Sequence, residues 1–127
     1  MLREDGIVFD DGTTTRISEN HYHMTTTTAQ AVNVLSHLEY YLQVVWPELD
    51  VNVMSTTEQW AGAALAGPNS RDLLEKLFPE IDVSNEALPF MGFKEADLFG
   101  VPARIFRISF SGELAYEINV ELSLIHF

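Results

Sequence analysis

The sequence predicts an α+β fold with a mostly antiparallel sheet and two or more helices. Three observations carry that expectation. Short β-rich runs separated by tight turns open the chain, one apolar stripe at helical spacing follows, and alternating runs return toward the end. Gly6-Ile7-Val8-Phe9 is a short apolar run closed by Asp10-Asp11-Gly12, the pattern of a strand entering a tight turn. Thr13–Ser18 is rich in β-branched residues, Glu19-Asn20 offers a second turn, and residues 21–26 alternate as a third strand. Together they predict an antiparallel meander.

The period then changes. Ala31, Val34, Leu35, Leu38, Tyr41, Leu42 and Val45 share one helical face. Thr27 or Thr28 can cap its start, and Pro47 stops it soon after Trp46. Residues 50–55 alternate again as a strand, and residues 60–66 read as a buried strand of small residues. Gly67-Pro68 opens a second, shorter helix with proline at its first position and Leu73, Leu74, Leu77 and Phe78 as its apolar residues. Beyond Pro79 an irregular stretch precedes strands at 91–98, 101–109 and 115–120, the first two joined by a hairpin near Phe99-Gly100. The ends do not read as natural boundaries: the chain starts just before a strand and stops in the apolar tail 122–127. The expectation is one partial domain over residues 1–127, cut from a longer chain.

Composition narrows the function. Hydrophobic residues make up 46% and charged residues 20%, which is ordinary for a globular protein, and no apolar run reaches membrane-spanning length. No secretory signal opens the chain, so the expected location is cytoplasmic. Without cysteine there are no disulfides, thiolate metal sites or thiol nucleophiles. Nineteen acidic residues face seven scattered basic ones, for a net charge of −12. That leaves no cluster to neutralise nucleic-acid phosphates. His21 and His23 would share a strand face, but no third ligand stands at a recognisable spacing, so no metal is expected.

Two acidic places stand out by context. Asp10 and Asp11 end an apolar run where a turn can aim a carboxylate into a cleft. Glu113 and Glu117 lie in Phe110-Ser111-Gly112-Glu113-Leu114-Ala115-Tyr116-Glu117-Ile118. Alternation there puts Glu117 on one face with Ala115 and Asn119, and Tyr116, Ile118 and Val120 on the other. A carboxylate suits a pterin ring, whose N–H and amino group it can accept together in a fork. Aromatic neighbours supply flat walls. The plain alternative for both places is an ordinary turn.

Four stretches occur in the order of a known family: Gly6–Asp10, Leu65–Ser70, Leu88–Met91 and Ser111–Ile118. They resemble the glycine-cleavage T-protein (aminomethyltransferase) family across nearly the whole chain. Asp10–Arg16, Met24–Thr28 and Arg107–Glu113 look like its sarcosine oxidase alpha-subunit branch. The T-protein itself has tyrosine where Phe110 stands, and an acidic residue and glycine where Leu114-Ala115 stand. The resemblance implies tetrahydrofolate binding, with Asp10 near the folate's reactive nitrogens in a catalytic role and Glu117 gripping the pterin. Phe110 would form an apolar wall of the pocket, and Glu113 is a structural turn residue within the same motif. It further implies an oxidoreductase acting on CH–NH donors. Sarcosine would be oxidised at a flavin elsewhere, and the one-carbon unit captured here as 5,10-methylenetetrahydrofolate. FAD, FMN and NAD are then expected elsewhere in the complex, and the partners are the other subunits and the remainder of the chain. Dimethylglycine dehydrogenase or another folate-dependent demethylase is the alternative enzyme. A folate-binding iron–sulfur assembly factor is the non-enzyme alternative, which the missing cysteine at 107–117 disfavours. All of this requires Asp10 and Glu117 to line one hollow.

Overall fold

The computed structural model describes residues 1–124. The expected α+β class holds, with helices and antiparallel sheets. The chain forms two compact units, Met1–Thr57 and the part from Glu58 onward.

In the first unit the expected meander shrinks to a hairpin of β1 (Thr14–Ser18) and β2 (His21–Met24), joined at Glu19-Asn20 as the turn signal predicts. Gly6–Phe9 is not a strand. It folds back on the first residues through a single bridge, Leu2 to Val8, around a turn in which Gly6 takes φ 79°. Asp10-Asp11-Gly12 does not reverse the chain either, but runs on as irregular backbone against Thr25–Thr27. Glycine at 12 is obligatory there, because a Cβ would fall on the Thr25 carbonyl oxygen. The close approach lets Thr25 donate its N–H to the Thr13 carbonyl and accept the Thr13 N–H on its hydroxyl, at 2.9 and 3.0 Å.

A 3-10 turn at Thr28–Gln30 leads into α1 (Ala31–Tyr40), which continues as one π-helical stretch, Tyr41–Val45. Pro47 ends it as expected. Trp46 donates its N–H to the Tyr41 carbonyl at 2.7 Å, and the ring series Phe9, His37, Tyr41, Trp46 stacks at centroid spacings of 5.1, 4.8 and 4.8 Å. Residues 50–55 form no strand. Their alternation has no neighbouring strand to pair with, and backbone pairing rather than pattern makes a strand.

The second unit is a four-stranded antiparallel sheet in the order β3-β6-β5-β4, with β3 Trp60–Ala66, β4 Phe93–Leu98, β5 Val101–Phe106 and β6 Ala115–Glu121. Strand β3 is an edge strand and its centre is exposed, contrary to the buried strand that its small residues suggest. The β4–β5 turn at Phe99-Gly100 has φ 54° and 90°, the positive values of a type I′ hairpin. Strand β4 starts two residues later and β5 stops three residues sooner than expected, because the Met91 N–H and the Arg107 N–H enter a loop instead.

Helix α2 (Ser70–Leu77) packs on one sheet face. Pro68 precedes the helix rather than opening it: Gly67–Ser70 is a β-turn closed by the Ser70 N–H on the Gly67 carbonyl, with proline at its favoured second position. The core lies between α2 and the sheet and contains Leu74, Phe78, Val83, Leu88, Ala103, Ile105, Tyr116 and Ile118. Leu73, expected on the apolar side, is 46% exposed. The irregular stretch beyond Pro79 is ordered by Asp82, whose carboxylate lies below the ordinary range because the Ser84 hydroxyl, and then its backbone N–H, bond to it. Of the apolar tail, Leu122–Leu124 form a 3-10 turn and residues 125–127 lie outside the described residues.

Adjacent leucines on α2 therefore have opposite weight. Leu74→Ala is expected to cost about 2–5 kcal/mol in chemical denaturation, through lost burial and the cavity left behind. Leu73→Ala should stay within about 0.5 kcal/mol of wild type, as for ordinary surface substitutions. Equal losses at the two positions would contradict the packing.

Candidate functional site

The backbone entering β6 gathers three of the four family-like stretches. The Leu114 carbonyl accepts the Gly67 N–H at 2.9 Å and the Ser70 hydroxyl at 3.1 Å, tying the start of α2 to the start of β6. On the other side Arg107 orders the Leu88–Gly92 loop. It donates Nη1 to the Leu88 carbonyl at 2.9 Å, and exchanges backbone bonds with Met91 and Gly92 at 2.8 and 2.9 Å. Met91 sits at φ 65°, an uncommon value for a residue with a side chain. Gly92 can have none, since a Cβ would lie 2.6 Å from the Pro89 carbonyl oxygen.

Between these strands of chain lies an open cavity of about 360 Å³, lined by Phe90, Arg107, Ser109, Gly112, Glu113, Leu114 and Ala115. Glu113 is at its rim, where its Oε1 accepts the Ser111 hydroxyl at 2.7 Å, and the Gly112 N–H bonds the Ser109 hydroxyl at 2.8 Å. That is the geometry of a tight turn, with Gly112 at φ 89°. Phe110 is fully exposed and is not among the lining residues; the aromatic wall here is Phe90.

Ala115 joins this cavity to a sheet face further along β6. Register places Glu117 opposite Ala64 on β3 and Phe106 on β5, and Asn119 opposite Gly62 and Arg104. The alternation expected from the sequence is observed: Tyr116 and Ile118 enter the core, while Glu117 and Asn119 share the other face. That face is flanked by aromatic groups. Phe93 and Phe106 pack at 5.2 Å, and the Arg104 guanidinium lies over the Trp60 ring at 4.1 Å. The buried Arg104 Nε has no hydrogen-bond partner, and its guanidinium meets Glu95 only at 4.0 Å. Glu117 and Asn119 make no side-chain hydrogen bond among the described residues. Both lean toward Gly62: the place its Cβ would occupy is 2.8 Å from Asn119 Oδ1 and 4.0 Å from Glu117 Oε1.

Asp10 belongs to the first unit and is buried, at 7% exposure. Its two carboxylate oxygens accept the Thr27 hydroxyl at 2.8 Å and the Thr27 N–H at 3.0 Å. Thr27 is the residue before the 3-10 turn, so the expected cap position is right but the threonine side chain serves Asp10 rather than the helix. Asp11 is exposed. His21 and His23 lie on β2, and no three His, Asp or Glu side chains converge on a metal position among the described residues.

The structure thus brings Glu113 and Glu117 onto one continuous stretch of the second unit, with Phe110 beside it in the loop. Sequence reasoning missed Trp60, Gly62 and Arg104 as neighbours of Glu117. Two signals were available: a lone arginine inside an apolar strand, and a glycine in the middle of another.

Comparison with known proteins gives these residues a setting. Residues 1–125 match the GCVT N-terminal domain family. The sarcosine oxidase subunit alpha of Rhizobium meliloti is 56% identical over 94% of this chain, and that of Corynebacterium sp. (strain P-1) is 54% identical over 94%. The chain spans 12% of the length of each. An aminomethyltransferase of Staphylococcus haemolyticus is 30% identical over 95% of this chain, which spans 32% of that protein. The chain belongs to the GCVT N-terminal domain family.

Proposed function

We propose that this chain is the tetrahydrofolate-binding portion of a sarcosine oxidase alpha subunit, one segment of a longer polypeptide. The observation that carries the reading is Glu117, a carboxylate with no protein partner on an aromatic-flanked sheet face, within the stretch that resembles the family's pterin-gripping motif. Glu117 is half-buried and accepts no side-chain hydrogen bond among the described residues, so its oxygens are available to a ligand. The residues present fit a pterin: Glu117 can accept its paired donors, and the half-buried Trp60 and Phe93 offer flat apolar surface.

When bound, tetrahydrofolate supplies a nucleophilic amine that takes up the one-carbon unit from oxidised sarcosine, giving 5,10-methylenetetrahydrofolate. The protein's contribution is positioning and charge. Asp10, fixed by its two bonds from Thr27, retains lone pairs on both oxygens and can accept a proton from the attacking amine or favour positive charge beside it. Flavin and nicotinamide chemistry (FAD, FMN and NAD) belongs to other parts of the cytoplasmic complex.

Asp10→Ala in the assembled enzyme is expected to lower the yield of 5,10-methylenetetrahydrofolate about a hundredfold or more, since one positioned acid–base group contributes about 10²–10⁴. Reduction of the flavin by sarcosine should continue. An unchanged folate yield would sink the assignment. The chain by itself should hold folate weakly, because the anionic glutamyl tail needs cations and only seven basic residues are present. Calorimetric titration of the 127-residue chain with tetrahydrofolate checks this, and a sub-micromolar affinity would contradict it.

A further inference from the structure

We infer that residues 50–55 are a strand whose partner is a further strand of the same polypeptide, outside these 127 residues, lying between them and β2 and antiparallel to both. The inference rests on the reading of this chain as one segment of a longer polypeptide. Met1–Thr57 is a compact unit, yet among its described residues Asp10 and Val34 alone are buried. Asp50-Val51-Asn52-Val53-Met54-Ser55 alternates as a strand with one apolar face does, and it belongs to no sheet. Val51 and Val53 share that face and are 54% and 37% exposed. On β2, Tyr22 and Met24 also share a face and are exposed. Apolar surface left open in this way marks a place that another element covers.

Topology says what kind of element fits. Strand β2 pairs with β1 along one edge and has no strand along the other. A hairpin of two strands is marginal by itself in water, and an unpaired edge is a template for a further strand. From β2 the chain passes through α1 and reaches residues 50–55, which is a strand–helix–strand crossover. Such a crossover leaves its two strands parallel. They do not pair directly here, so the arrangement is that of a split crossover with room for one strand in between. A strand in that slot runs antiparallel to both neighbours and takes up the backbone groups of β2 and of residues 50–55 together. Its side chains should be apolar at every second position, to meet Tyr22 and Met24 on one side and Val51 and Val53 on the other.

The occupant is a stretch of the same polypeptide rather than a second copy. The chain spans 12% of the length of each sarcosine oxidase alpha subunit it matches, so such relatives hold ample sequence beyond the matched region. Joining strands within one chain costs only loop closure, which grows slowly with loop length. Two copies would bring together net charges of −12 each, which repel.

The test places p-benzoylphenylalanine, a photo-crosslinking residue, at Tyr22 or at Asn52 in the assembled enzyme and identifies the linked peptides by mass spectrometry. Both positions should link to one and the same stretch of the alpha polypeptide outside residues 1–127. Links to another subunit, to a second copy, to two separate stretches or only within residues 1–127 overturn the inference. Where no link forms, hydrogen–deuterium exchange of the wild-type enzyme decides. Residues 50–55 should exchange at least about a hundredfold more slowly than an unstructured peptide, as paired strands do, and exchange at the unstructured rate overturns the inference. An intact mass equal to that of the 127 residues alone would remove the longer-polypeptide reading and this inference with it. None of these outcomes bears on folate capture, which Asp10→Ala tests separately.

Discussion

The alternation along β6 is the constraint on which the second unit depends. The strand lies between β3 and β5, so both of its edges are hydrogen-bonded, and its two faces have opposite duties. Tyr116 and Ile118 fill the core against α2, while Glu117 and Asn119 face away from it. Because side chains alternate with a period of two, a slip of one residue would bury the carboxylate and expose the tyrosine. The Leu114 carbonyl prevents that slip from one end by holding the Gly67 N–H and the Ser70 hydroxyl together. Arg71 adds a second restraint on the same face, its Nε donating to the Tyr116 hydroxyl at 3.0 Å and its Nη2 to Asn85 at 2.7 Å. The position of Glu117 is thus a by-product of core packing, and needs no loop to hold it.

Asp10 is positioned by a different device. Here the backbone rather than a sheet does the placing. Glycine at 12 admits the Thr25 carbonyl, the Thr13–Thr25 bonds zip the two passages together, and Thr27 arrives with both a hydroxyl and an N–H directed at the carboxylate. Charge-assisted bonds of this kind are stronger than neutral ones. Asp10 also lies at the N-terminal end of a helical run from Thr28 to Val45, where negative charge is favoured by the helix dipole. One carboxylate is therefore held by bonds to both of its oxygens within its own unit, and the other is left open.

How much of this was legible in the sequence depended on whether the signal was local. Gly112, Gly100 and Pro47 punctuate the chain where expected, because turn and stop chemistry belongs to a few adjacent residues. The faces of β6 were legible for the same reason, as was Glu113 as a turn residue. What failed needed a distant partner. Residues 50–55 alternate without a strand to pair with, the small residues of β3 mark an edge rather than a buried strand, and Asp10-Asp11-Gly12 serves close approach instead of reversal. Arg104 and Trp60 meet across β6 from positions 44 residues apart in sequence, and no short-range pattern announces that.

The same reasoning explains why the second face of the sheet carries polar groups at all. Covering it with apolar residues would have satisfied the fold, and Phe93 and Phe106 show that the register admits them. Instead Glu117 and Asn119 stand unpartnered, Gly62 gives up a side chain to make room, and Arg104 leaves its Nε unbonded while its guanidinium rests on Trp60. Among the described residues the Arg104 Nε is buried and unbonded, a state that costs about 1–3 kcal/mol. The concentration of these groups on one face supports the proposed folate reading of that face.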